Sequence, residues 1–178
     1  YYAGMSVPAG STIDGNGTLH VPGSVAHFTH YVSALRNATT FRELEEYPFP
    51  SVAAHTDGHM AEAVRAAHAQ GRFTVSWGGH MYEDAWQIRG YEEFLMDMIQ
   101  QQEWCEYILD RLMANDLRRA EAAARAGVNL LRTGDDVANQ IALMFSRDQW
   151  RRLMKPRWAR VFAAARRIKP DIAIWYHS

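Results

Sequence analysis

Three observations predict an α/β fold with a parallel sheet. Short runs with strand composition occur at 72–77, 128–132 and 172–177, and long helical stretches separate them. Each run is punctuated: Gly71 and Gly127 stop the helices before the first two, and Pro170 precedes the third. Parallel strands need crossovers of about a dozen residues or more, which the helical stretches supply. Periodicity alone does not choose between a closed barrel and an open doubly wound sheet.

Residues 1 to 50 are the least regular. Glycines at 4, 10, 15, 17 and 23, with prolines at 8 and 22, read as loops and short turns. Thr39-Thr40 can cap a short helix from Thr40 to Glu46, and Pro48 and Pro50 close the segment. From residue 51 the pattern turns rhythmic. Asp57 precedes an alanine-rich helix from His59 to Gln70, which Gly71 ends. Arg72 to Trp77 has the aromatic and β-branched content of a strand, and Gly78-Gly79 breaks it. Helical sequence follows over Tyr82 to Ile88, Tyr91 to Ile99 and Glu103 to Ala126. In the last of these Cys105, Ile108, Leu109, Leu112 and Met113 share one face. Val128 to Arg132 is the second strand. Ser146-Arg147-Asp148-Gln149 forms a capping box that starts a helix near residue 147. That helix runs to Ile168, with Pro156 splitting or kinking it. Met96, Met98, Met113, Met144 and Met154 read as core filler.

The 178 residues fit one domain, and a 48% hydrophobic content is that of a globular chain. A net charge of −1 with no like-charge block argues against a nucleic-acid or membrane-surface partner. Seventeen basic residues are arginine, and only Lys155 and Lys169 are lysine. Arginine suits bidentate carboxylate recognition, although a biased genome, visible also in the many alanines, explains the skew more simply. Cys105 is the only cysteine, so neither an internal disulfide nor a multi-cysteine zinc site fits within the chain. A reducing, cytoplasmic setting is expected. No apolar run approaches the ~20 residues of a membrane span, and the opening residues lack a signal-peptide pattern. Residues 172–178 stop inside a strand, which would leave a neighbour's backbone groups unpaired. Missing residues at both ends are therefore expected.

In either α/β architecture a site forms where strands end and helices begin. Three such places are visible. After the first strand stand Trp77, Gly78, Gly79, His80, Met81, Tyr82 and Glu83. The glycines allow close backbone approach to a ligand, and His80 and Tyr82 offer polar groups, although an ordinary glycine turn has the same composition. After the second come Thr133-Gly134-Asp135-Asp136 and then Val137-Ala138-Asn139-Gln140. Successive extended residues point different ways, so one carboxylate can face the site while the other caps a turn. Such a carboxylate can accept hydrogen bonds, bind a metal or move a proton. The third place is Tyr176-His177-Ser178, where His177 is a ligand, an acid–base group or a core histidine. His20, His27 and His30 lie in the irregular start and are weak metal candidates. His55 and His59 read as capping or surface residues. Glycines 15, 17 and 23 have neither the spacing nor the context of a phosphate loop.

Four segments resemble the uroporphyrinogen decarboxylase family. Glu83-Asp84-Ala85-Trp86-Gln87-Ile88-Arg89-Gly90-Tyr91-Glu92-Glu93-Phe94-Leu95 is similar to its helical segment with an Arg-Gly pair. Ala126-Gly127-Val128-Asn129 followed by Asp135-Asp136 resembles its second motif. Ser146-Arg147-Asp148-Gln149-Trp150 with Lys155-Pro156-Arg157 resembles a third, and Tyr176-His177-Ser178 the start of a fourth. The likeness spans roughly residues 48 to 178 and implies a (β/α)8 TIM barrel, of which this chain would hold the middle strands and helices. The family's arginine-rich N-terminal motif has no counterpart here.

The resemblance implies cofactor-free decarboxylation of a tetrapyrrole-type carboxylate. Asp135, Asp136 and His177 would be catalytic, and Trp77, His80, Tyr82 and Gln140 would bind substrate. Related barrels transfer methyl groups between an acceptor such as a thiol and a corrinoid protein, using zinc. His177 would then be a zinc ligand and the corrinoid protein a partner. A third reading is a barrel that binds a ligand without catalysis. Family likeness also suggests a homodimer.

Overall fold

The computed structural model describes residues 1–25, 29–51 and 58–178, with the side chain of His59 excepted. His27, His55 and Asp57 lie outside the described residues. The chain forms two compact units, residues 1–50 with 83–108 and residues 51–82 with 109–178.

The first unit contains a sheet that its glycine and proline content conceals. Strands β1 (Thr12–Ile13), β2 (Leu19–Pro22) and β3 (Thr29–Val32) form an antiparallel sheet in the order β1-β2-β3. The expectation of loops and turns alone is corrected here. Two- and four-residue strands are too short to show an alternating pattern, and much of the tie comes from a distant side chain. The Tyr2 hydroxyl donates to the Gly17 and Val32 carbonyls and accepts from the Leu19 amide. The short helix α1 (Phe41–Glu45) is capped at Thr40, whose amide and hydroxyl both donate to the Glu43 carboxylate.

The Arg-Gly pair at 89–90 has a structural task in this unit. Arg89, at the end of α3 (Met81–Arg89), forms a buried 2.7 Å ion pair with Asp97 and donates to the Leu35 carbonyl at 2.6 Å. Its guanidinium also lies 5.0 Å from the Trp104 ring centre. A buried charge needs such a full set of partners. Gly90, at φ +112°, caps helix α4 (Tyr91–Gln100) in a conformation that other residues rarely adopt. On α4 Met98 is fully buried but Met96 is half exposed, so Met96 is not core filler. The two positions differ by about 200° around a helix, which puts them on opposite faces.

The second unit carries the predicted parallel sheet. Strands β4 (Val75–Trp77), β5 (Leu130–Gly134) and β6 (Ala173–His177) pair in the order β4-β5-β6. Helix α2 (Gly58–Ala69) precedes β4, α5 (Gln102–Ala126) precedes β5, and α7 (Lys155–Ile168) precedes β6. β4 starts three residues later than predicted, because the Thr74 amide donates to the Asn129 side-chain oxygen instead of to a strand. β5 is displaced by two residues, because Gly127 and Val128 close the end of α5 through bonds to Ala124 and Ala123. The capping box at Ser146 and Gln149 starts α6 (Arg147–Gln149). Pro156 does not break the helical path from α6 to α7. A five-residue π-helical turn, Trp150–Met154, leads into α7 with the proline in its first turn, where no amide donor is required.

One face of this sheet is covered. Leu131 and Thr133 are fully buried there, and Tyr176 packs against Trp158 and Phe162 of α7 at ring distances of 5.8 and 6.5 Å. The opposite face exposes Val75, Trp77, Arg132 and Trp175.

Candidate functional site

The predicted site residues lie in the second unit, and parallel pairing brings the strand tips to one end. Trp77 is opposite Arg132 in β5, and Gly134 is opposite His177 in β6. Gly134 permits that closeness: a Cβ there would lie 2.3 Å from the His177 carbonyl oxygen, which accepts from the Asp135 amide at 3.0 Å.

Gly78 and Gly79 work differently from the ligand approach expected of them. The Gly78 amide donates to the Arg132 carbonyl at 2.8 Å, and a Cβ would press on Leu131 at 3.1 Å. Gly79 has φ +107°, and a Cβ would sit 2.1 Å from a carboxylate oxygen of Asp116. Its carbonyl accepts from the Thr133 hydroxyl at 2.6 Å. The neighbours these glycines admit belong to the protein itself.

The adjacent carboxylates diverge, as alternation along an extended chain requires. Asp135 is fully buried. One oxygen accepts from the Tyr82 amide at 2.6 Å; the other accepts from the Trp158 indole N–H at 2.6 Å and the Tyr176 hydroxyl at 3.3 Å. It ties the start of α3, the beginning of α7 and the end of β6 to β5. Asp136 is exposed, with one oxygen 3.2 Å from His177 Nε2, and the His177 side chain is itself 57% exposed. A pair so open can exchange protons with a bound molecule.

His80 is half-buried, its ring 4.4 Å from that of Trp77. Burial lowers its pKa; the Asp136 carboxylate opposes this, while His177 and Arg132 lower it further. Its imidazole is therefore neutral near pH 7. Trp77 is half exposed, and the Arg132 guanidinium lies 5.8 Å from its ring centre and 5.1 Å from that of Trp175. Gln140 is exposed on the loop after β5. Tyr82 does not line a wall open to solvent. It is wholly buried, with Phe145 5.0 Å from its ring.

Near the same strand tips lies a largely apolar cavity of about 320 Å³, which neither Asp136 nor His177 lines. Val137 and Ser178, the chain neighbours of that pair, line it together with Leu143, Phe145, Trp150 and Tyr176. Arg147 contributes the cation. Sequence reasoning missed these residues because the loop has no strand or helix period.

Among the described residues no three His, Cys, Asp or Glu side chains are grouped to hold a metal. His177 faces Asp136, and Cys105 is buried elsewhere with its sulfur directed to the Phe94 carbonyl. No helix among the described residues is long and apolar enough to cross a membrane.

The sequence matches no family model and no curated protein. The fold is similar to that of a solved methyltransferase from Methanosarcina mazei, with a TM-score of 0.61 and 17% sequence identity. The match covers 85% of this chain and 44% of that one, so the chain spans less than half of the methyltransferase's length. At this identity the likeness is one of fold.

Proposed function

We propose that this chain carries part of the active site of a methyltransferase-type enzyme, at the C-terminal tips of β4, β5 and β6. One observation carries the reading: the tips hold a strongly exposed carboxylate–imidazole pair, Asp136–His177, whose chain neighbours Val137 and Ser178 line a ligand-sized cavity. The fold shared with a methyltransferase favours this chemistry over decarboxylation. The oxygens of Asp135 already accept from Tyr82, Trp158 and Tyr176, which leaves Asp136 as the exposed carboxylate of the two.

In this reading His177, oriented by Asp136, takes the proton from an acceptor such as a thiol. The acceptor's lone pair attacks the methyl carbon, and the bond to the donor breaks with its electron pair left on the donor. His80, neutral and beside Trp77, offers a hydrogen bond at the edge of the site. Asp135 is a positioning residue. The corrinoid protein remains the proposed methyl source, and no step is assigned to zinc. We also propose that the open face of β4–β6 is the interior of a (β/α)8 barrel, since parallel sheets are buried on both faces.

The test supplies ¹³C-methyl methylcobalamin and a thiol, and follows the labelled thioether by NMR. Asp136→Asn and His177→Gln should each slow transfer by roughly 10²-fold with folding unchanged. Equal rates in wild type and the double variant would overturn the site. No turnover with any donor would leave a ligand-binding barrel.

A further inference from the structure

We infer that the cavity lined by Val137, Leu143, Phe145, Trp150, Tyr176 and Arg147 is a binding site for a single-ring aromatic carboxylate, held by its ring in the apolar walls and by its carboxylate on Arg147. The inference rests on the proposed site at the strand tips and adds the class of molecule that occupies it.

Size comes first. An apolar cavity of roughly 150 Å³ accommodates benzene, so about 320 Å³ holds one substituted ring and is too small to enclose a tetrapyrrole. Shape comes next. Phe145, Trp150 and Tyr176 provide three aromatic surfaces, and Val137 and Leu143 complete an apolar lining. Flat aromatic bodies are favoured in such a setting by offset and edge-to-face contacts. The Tyr176 hydroxyl is directed to Asp135, which leaves the phenol ring as its contribution to the wall.

Charge decides the rest. Arg147 is exposed and lines the cavity, and its guanidinium makes no hydrogen bond or ion pair among the described residues. Arg132 and Arg157 are committed elsewhere, Arg132 to Trp77 and Trp175 and Arg157 to Asp110 and the Leu153 carbonyl. A planar fork of five donors at the mouth of an aromatic pocket matches a carboxylate bidentately. The nearest acidic side chain along α6, Asp148, pairs with Arg151 instead.

The experiment is calorimetric titration of the chain with 4-methoxybenzoate and with its neutral isostere 4-methoxybenzamide. Saturable one-to-one binding of the acid is expected, with the amide weaker. Arg147→Gln should weaken the acid roughly tenfold or more, as loss of a hydrogen bond to a charged group requires, and leave the amide unchanged. Leu143→Trp, on the exposed loop, should fill the pocket and abolish both, with circular dichroism confirming the fold. Absence of saturable binding by the wild-type chain would overturn the inference. So would binding of the acid by Arg147→Gln and Leu143→Trp at wild-type strength. Binding that persists where methyl transfer fails would sink the proposed methyltransferase function and leave this site standing.

Discussion

Asp135 and Asp136 are chemically identical neighbours with opposite burdens. Removing the Asp135 carboxylate strands two buried donors, the Tyr82 amide and the Trp158 indole, at roughly 1–3 kcal/mol each. Asp135→Ala should therefore lower stability by about 3 kcal/mol, measured by urea denaturation. Asp136→Asn on the exposed side should stay within about 0.5 kcal/mol of wild type. His80 makes a prediction in pH. Its folded pKa is lowered from 6.5, so the unfolded chain binds more protons in the window below that value. Stability should be fully present above that window and fall as pH drops through it. His80→Gln should flatten this part of the profile, read from denaturation midpoints between pH 5 and 8 (about the range in which histidine titrates). The sequence showed that the two carboxylates would point different ways. Which one turned inward depended on Trp158 and Tyr176, 23 and 41 residues away.

Elements were legible where their signals are local. The capping box at Ser146–Gln149, the glycine stop after α5 and the long apolar stripe of α5 each depend on residues within a few positions, and each appears as predicted. The strand ends were misjudged by two or three residues, because side chains and helix caps compete for the same backbone donors. The π-helical turn before Pro156 was not legible either, since a missing donor can be absorbed by a wider turn as readily as by a kink. Gly79 tests how an element boundary is fixed. At φ +107°, with Asp116 filling the space a Cβ would occupy, Gly79→Ala should cost about 2 kcal/mol in strain and displacement. Thermal denaturation would show it, and an unchanged midpoint would mean that the turn between β4 and α3 relaxes freely.

Across the whole molecule the sheet of the second unit has one covered face and one open face. The open face carries Trp77 and Trp175 with Arg132 between them, cation–π contacts that keep the guanidinium over apolar surface while it stays in water. The sequence by itself determined the rhythm of the second unit, the parallel pairing it needs and the convergence of Trp77, Asp135 and His177 on one end, because period, glycine stops and crossover length are local properties. Only the tertiary structure decided the antiparallel sheet of the first unit, the sealed place of Asp135, the burial of Tyr82 and the cavity lined by Arg147. Each of those depends on residues far apart in sequence meeting in space, and hydrogen bonds and packing between such residues leave no period to read.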